Sequence, residues 1–285
     1  MNSFGFVGFG LIGGSIARSL KNTYKDCTIT VHSRSIAPLE QAKKDGVIDI
    51  ISEKLDEHFS NCDYIFLCAP VQNNIKYLSL LKSIISDKCI VTDVGSVKAT
   101  IHKAVTELDM EANFIGGHPM AGSEKTGYAN SSIDLLNNAV YIVTPTSKTN
   151  SEALEAFVAL IKSFGSIPTI LDCEQHDIAV AGISHLPHLI SAVFTELIRV
   201  KDDSDETMHA LAATGFKSIT RLAASSAEMW SQICETNKDA ILKLLYKYID
   251  ALKDIGKELE NNNTQAVYDL FVNSKAYRDT FNFTK

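Results

Sequence analysis

The sequence has six cysteines, at 27, 62, 68, 89, 173 and 234, and no two of them form a CxxC pair. That spacing excludes a zinc ribbon and a disulfide framework, and implies reduced, mostly buried thiols in a cytosolic protein. Positive charge is also in short supply. Twenty-seven Lys and Arg face 34 Asp and Glu, a net charge of -7, which argues against a general nucleic-acid binder and against attachment to an anionic membrane. The apolar N-terminus lacks a basic stretch and is interrupted by glycines, so it does not read as a signal peptide. No apolar run reads as long enough to span a bilayer. Repeats and low-complexity tracts are absent. There is one tryptophan, Trp230, and taken alone it reads as a core residue. What remains is a chain of 285 residues with ordinary apolar and charged fractions, enough for one large or two ordinary soluble domains.

Residues 3–7 read as a buried strand. They run directly into Gly8-Phe-Gly10-Leu11-Ile12-Gly13, and a helical pattern follows with Ile16, Ala17 and Leu20 on one face. Strand, GxGxxG, helix is the dinucleotide fingerprint in its required context. Gly8 permits the tight turn, Gly10 lets a pyrophosphate approach the backbone, and Gly13 lets helix and strand pack closely. The phosphates belong at the helix N-terminus, where free N–H groups and the dipole favour anions. A second strand, 28–31, ends in Ser33-Arg34. A fold that prefers NAD usually carries an acid about 20 residues past the glycines to bind the ribose 2′-hydroxyl. Here a hydroxyl and a guanidinium suit a 2′-phosphate, which points to NADP, with NAD as the alternative.

The alternation of strand and helix continues. Strands are expected at 64–68, 89–93, 139–144 and 167–171, with helices at 37–44, 71–85, 99–108 and 151–164. In open α/β sheets ligands bind beyond the carboxyl ends of the strands. Ala69, Pro70, Val71, Ser96 and His118 fall at such ends. Ser96 suits either a hydroxyl contact or the N-cap of the next helix. His118 follows a short strand at 113–115 and sits in what reads as a glycine-rich loop, Gly116-Gly-His-Pro-Met-Ala-Gly122. Glycine leaves room for a ligand, and imidazole titrates near neutral pH, which suits a general base. The competing reading is a turn histidine that bonds only backbone.

After about residue 172 the strand signal stops. Long helical patterns cover 175–200, 206–213, 218–225, 226–236, 238–261 and 264–278. We therefore expect an α/β dinucleotide domain over 1–172, with a mostly parallel, doubly wound sheet, and an all-α domain over 173–285. Ile183, Leu186, Leu189, Ile190 and Val193 give the second domain an apolar face suited to a dimer or to internal packing. Ser184-His185-Leu-Pro187-His188 places two histidines three apart on one side of a helix, with a proline that favours a kink. No carboxylate motif accompanies them, so metal is not expected. Arg221 stands in a small, apolar stretch, where a guanidinium pairs with an internal acid or binds an anionic ligand.

These segments together resemble the prephenate/arogenate dehydrogenases of tyrosine biosynthesis. The resemblance rests on GFGLIGGS at 8–15, CAPV at 68–71, TDVGSVK at 92–98 and GGHPMAGSEKTG at 116–127, then SHLPH at 184–188 and GFKSITR with MW within 215–230. It implies a Rossmann domain, a helical dimerisation domain, an active site between them, and oxidative decarboxylation of prephenate to 4-hydroxyphenylpyruvate. By the same resemblance His118 accepts the proton of the substrate's C4 hydroxyl and Ser96 binds that hydroxyl or steadies His118. Arg221 grips a carboxylate, and His185, His188 and Trp230 line the pocket. Two departures bear on specificity. Ser218 stands where many relatives carry an acid that would suit the ammonium of arogenate, which favours prephenate. Ser33-Arg34 replaces the usual acid after the second strand. No chorismate mutase segment is expected before the glycines and no regulatory tail after residue 280. The enzyme is expected in the cytoplasm, as a homodimer.

Overall fold

A computed structural model describes residues 3–122, 125–202 and 206–281. Ser123 and Glu124, within one of the motifs quoted above, lie outside the described residues. The described chain groups into two compact units, Met1–Asp177 with Ser225–Thr236, and Ile178–Ala224 with Asn237–Lys285. The segment carrying Trp230 thus groups with the nucleotide-binding half, where the sequence places it in the helical half.

In the first unit, β1 (Ser3–Val7), β2 (Thr28–His32), β3 (Ile50–Ile51), β4 (Tyr64–Leu67) and β5 (Ile90–Asp93) form a parallel sheet of order β3-β2-β1-β4-β5. The crossovers carry α1 (Leu11–Thr23), α2 (Ala37–Lys44) and α3 (Val71–Leu81), and α4 (Ala99–Glu107) follows β5. Strands buried on both faces need apolar residues at both parities, and YIFL and IVTD supply them. Phe4, Phe6 and Phe66 fill one face, with the Phe6 and Phe66 rings stacked at 5.1 Å. Val7, Ile65, Leu67 and Val91 fill the other.

A second sheet consists of β6 (Ile115–Pro119), β7 (Val140–Pro145) and β8 (Ile167–Ile170), with α5 (Ser151–Ser163) between the last two. The β6–β7 pair is antiparallel and the β7–β8 pair parallel. One parallel bridge, Val91 to Phe114, joins the two sheets. Here the structure corrects an expectation. His118 is not in a loop; it lies within β6, opposite Ile142. Glycine is a poor strand residue unless backbone or side chains crowd it, and both glycines are crowded. A Cβ on Gly117 would lie 2.7 Å from the Asp93 carbonyl oxygen, and one on Gly116 would strike Thr144 Oγ1.

The remaining helices are α6 (Cys173–Val180), α7 (Leu186–Lys201), α8 (Thr207–Leu211), α9 (Thr214–Thr220), α10 (Ala227–Thr236), α11 (Lys238–Glu260) and α12 (Thr264–Arg278). The single helix expected over 175–200 is broken by a π turn, Ala181–His185, in which the Leu186 N–H donates to the Ala181 carbonyl. Pro187 has no N–H and its ring clashes with a carbonyl one turn back, and the widened turn relieves both. By length and composition, Cys173–Lys201 is apolar enough to cross a membrane, contrary to the expectation that no run is. Residues 178–195 carry no Asp, Glu, Lys or Arg. The cysteines are also less hidden than expected, with three buried and three half-buried.

Candidate active site

The glycine loop is shaped by close contacts on one side and open space on the other. Gly8 adopts φ +85°, and a Cβ there would lie 2.8 Å from the Ala69 amide nitrogen. Its N–H donates to the His32 carbonyl at 2.8 Å, tying the ends of β1 and β2 together. Gly13 packs α1 against Cys68, 3.2 Å from where its Cβ would be. At Gly10 a Cβ would meet nothing within 4 Å. Gly10 is also the N-cap of α1, with no side chain capping it. The first amides of α1, from Leu11 and Ile12, thus have no side-chain cap, the kind of helix N-terminus that suits an anion. Ser33 is half-buried and Arg34 exposed just past the end of β2. The turn at Ala69-Pro70-Val71 is held by Asn74, fully buried. Its side chain accepts from the Ala69 N–H at 3.1 Å and donates to the Leu67 carbonyl at 3.2 Å.

At the carboxyl end of β5, Asp93 organises a buried polar cluster. Its carboxylate accepts from the Gly95 N–H at 2.9 Å and the Gly117 N–H at 3.2 Å, and forms an ion pair with Lys98. Lys98 also donates to the Gly117 carbonyl at 2.8 Å. Both side chains are fully buried, and desolvation pulls the Lys98 amine below its ordinary range while Asp93 opposes that. This cluster fixes the backbone immediately before His118. Ser96 sits half-buried in the loop between β5 and α4. It does not cap α4: Lys98 is the N-cap residue, and the Asp177 carboxylate accepts the Lys98 and Ala99 amides at 2.8 and 2.9 Å.

The His118 side chain is nearly buried, and its Nδ1 lies 2.8 Å from His176 Nε2. His176 Nδ1 in turn lies 2.7 Å from Asp177 Oδ1. Sequence reading passed over His176, Asp177 and Asn74. The adjacent His-Asp pair at the start of a helix was the only local signal, and nothing in the sequence links it to His118, 58 residues earlier. Trp230 is half-buried on α10, which is held by Gln72 donating to Glu235 at 2.8 Å and Thr100 donating to the Thr236 carbonyl at 3.3 Å.

In the second unit, His185 ends the π turn and is buried, with Asn237 Nδ2 donating to its Nδ1 at 3.1 Å. His188 donates from Nδ1 to the Ser184 carbonyl at 2.8 Å. Burial, and then the nearby Arg221 charge, hold His188 below the usual imidazole range. Arg221 is exposed where α9 gives way to a short 3-10 turn, Arg221–Ala224. The structure thus brings His188 and Arg221 together, while His185 faces Asn237. Among the described residues no group of three His, Cys, Asp or Glu could hold a metal.

Two family models match this chain: the nucleotide-binding domain of prephenate dehydrogenase over residues 16–167, and its dimerization domain over 172–273. The prephenate dehydrogenase of Bacillus subtilis is 34% identical over 275 residues, covering 96% of this chain and 74% of its own length. That of Lactococcus lactis is 30% identical over 285 residues, covering 98% and 77%. Among solved structures, Aquifex aeolicus prephenate dehydrogenase in complex with hydroxyphenyl propionate and NAD+ superposes with a TM-score of 0.91 at 27% identity, covering 98% of this chain and 97% of that one. Synechocystis arogenate dehydrogenase does so with a TM-score of 0.85 at 31% identity, covering 97% and 99%. Matched by both domain models and by curated relatives over nearly its whole length, this chain belongs to the prephenate dehydrogenase family.

Proposed function

We propose that this protein oxidatively decarboxylates prephenate to 4-hydroxyphenylpyruvate, with NADP as its preferred hydride acceptor. The observation that carries the reading is the place of His118. Its neighbour Gly117 donates to the Asp93 carboxylate at the last residue of β5, which ties the strand carrying His118 to the carboxyl end of the parallel sheet, where this fold binds its ligands. A bound nicotinamide supplies the acceptor for the hydride leaving ring C4. His118 takes the C4 hydroxyl proton as that carbon becomes a ketone. The ring carboxylate departs as CO2, its bonding electrons aromatise the ring, and the phenolate recovers the proton. Ser96 binds the same hydroxyl or steadies His118. Arg221 holds a carboxylate of the dianionic substrate, the local positive charge that a chain of net charge -7 must provide. His185, His188 and Trp230 line the substrate pocket.

For the dinucleotide, the backbone of Gly8, Gly10, Leu11, Ile12 and Gly13 holds the pyrophosphate and Ala69, Pro70 and Val71 flank it. Ser33 and Arg34 receive the 2′-phosphate. The protein works in the cytoplasm as a homodimer through its helical half, with no nucleic-acid or membrane partner. Arogenate is the second reading, and Ser218 in place of an acid disfavours its ammonium group.

The test is formation of reduced nucleotide with prephenate, run in parallel with NADP and NAD. Faster reduction of NADP is expected, and Ser33→Asp with Arg34→Ile should shift the preference towards NAD. Reduction of NAD alone would keep the reaction and discard the 2′-phosphate reading. Reduction of neither would redirect the assay to arogenate.

A further inference from the structure

We propose that His176 and Asp177 are positioning residues for His118: they set its ring tautomer so that Nε2 is the atom that accepts the substrate proton, and they stabilise the charge it then carries. The proposal rests on the reading of His118 as the base.

The argument starts at the carboxylate. Asp177 accepts the N–H groups of Lys98 and Ala99 through its two oxygens, an arrangement that suits an ionised acid. It therefore also accepts from His176, 2.7 Å away, and His176 carries its proton on Nδ1. A neutral imidazole protonated at Nδ1 has its lone pair on Nε2. That Nε2 lies 2.8 Å from His118 Nδ1, which must then be the donor. With both rings neutral, this is the assignment that satisfies both contacts, and it puts the lone pair of His118 on Nε2.

When Nε2 takes a proton, His118 becomes an imidazolium whose Nδ1–H is already directed at His176. The negative charge of Asp177 lies one ring further on, in surroundings where His176 is 0% and Asp177 5% exposed. Low dielectric strengthens such an interaction. The other titratable groups of this cluster are Asp93 on β5, Lys98, His102 on α4, Tyr141 on β7 and Cys173 on α6. Asp93 and Lys98 offset each other as an ion pair. Burial first, and then the Lys98 charge, pushes His102 down. Burial pushes the Tyr141 phenol and the Cys173 thiol up, so both stay protonated. Asp172 and Glu174 also lie near Cys173, and Asp177 is the carboxylate bonded to the histidine pair. Its bonds to the start of α4 also lock the histidine pair to the loop that carries Ser96.

The experiment is the pH dependence of kcat and kcat/KM for prephenate with saturating nucleotide, in His176→Leu, His176→Gln and His118→Asn. His176→Leu is expected to lower kcat on the order of 10²-fold, with the nucleotide Kd within about threefold of the parent, and to move the acid limb of kcat/KM to lower pH. His176→Gln supplies an amide oxygen to accept from His118 Nδ1, and should recover about tenfold of the loss. A His176→Leu enzyme with kcat within about threefold of the parent and an unmoved acid limb overturns the proposal. If His118→Asn is then inactive, the relay alone has failed; if His118→Asn is fully active, the base reading has failed as well. Should His176→Leu not fold, nitrogen NMR of the parent's imidazoles decides the matter. Both rings are expected as the Nδ1–H tautomer at neutral pH, and an Nε2–H tautomer at His118 rejects the assignment.

Discussion

At Gly8 the backbone turns with φ +85°, and any side chain would also run into the start of the Cys68–Ala69 peptide. Gly10, two residues on, has neither constraint, and its open side faces the expected pyrophosphate. The two glycines therefore separate stability from binding. Gly8→Ala should lower unfolding free energy by about 1–3 kcal/mol, measured by denaturant titration of the free protein. Gly10→Ala should leave it within about 0.5 kcal/mol of the parent and raise the nucleotide Kd at least tenfold, about 1.4 kcal/mol. A Gly10→Ala protein that binds nucleotide normally would remove that residue from the site. Arg221 gives the matching test for substrate. It is exposed and close enough to His188 to influence it electrostatically. Arg221→Ala should raise KM for prephenate about tenfold or more with a smaller effect on kcat, as expected for loss of a charge-assisted bond. An unchanged KM would take Arg221 out of the substrate contacts.

Elements with strong local patterns were legible in the sequence, and those set by distant neighbours were not. The parallel strands, α1 and the glycine loop follow from runs such as YIFL and from glycine spacing. Residues 116–119 of β6 read as a loop because Gly116, Gly117 and Pro119 are poor strand formers, and the crowding by Asp93, Tyr141, Thr144 and His102 explains why glycine is needed there. The sequence offers Ser96 as one candidate cap of α4, whereas Asp177 takes that role from 78 and 79 residues away. The π turn was foreshadowed by Pro187, but its five-residue width was not. Helix α4 also carries a pH-dependent contribution. His102 packs against Phe114 with ring centroids 5.5 Å apart and bonds Thr144 Oγ1 at 2.8 Å, and burial lowers its affinity for a proton below the ordinary 6.5. As pH falls below 6.5 the unfolded chain takes up that proton first, so the folded state loses stability until the folded histidine also titrates. The slope is at most about 1.4 kcal/mol per pH unit for one proton. Denaturant midpoints measured across this range should fall with decreasing pH, and His102→Gln should flatten the fall. An equal slope in the variant would assign the effect to other histidines.

On the scale of the whole molecule, the feature least visible in the composition is the uncharged stretch at 178–195. Averaged over 285 residues the chain reads as an ordinary soluble protein, yet this stretch feeds α7, whose Val193, Leu197 and Val200 are 67%, 53% and 56% exposed. Their spacings of four and three place them along one helix face. Leaving such a face in water is costly, roughly 25 cal/mol per Å² of apolar surface. The chain region holding it matches a dimerization domain, which supports the homodimer proposed above. The parent protein should therefore sediment as a dimer at micromolar concentration. Leu197→Glu would put one carboxylate from each copy into an apolar contact, and should weaken association at least a hundredfold, about 2.7 kcal/mol. A variant that dissociates while keeping its helical signal would place the interface on α7. A parent that stays monomeric at high micromolar concentration would reject the dimer, and a variant that stays dimeric would move the interface to the exposed residues of α11 and α12, such as Leu259 and Phe271.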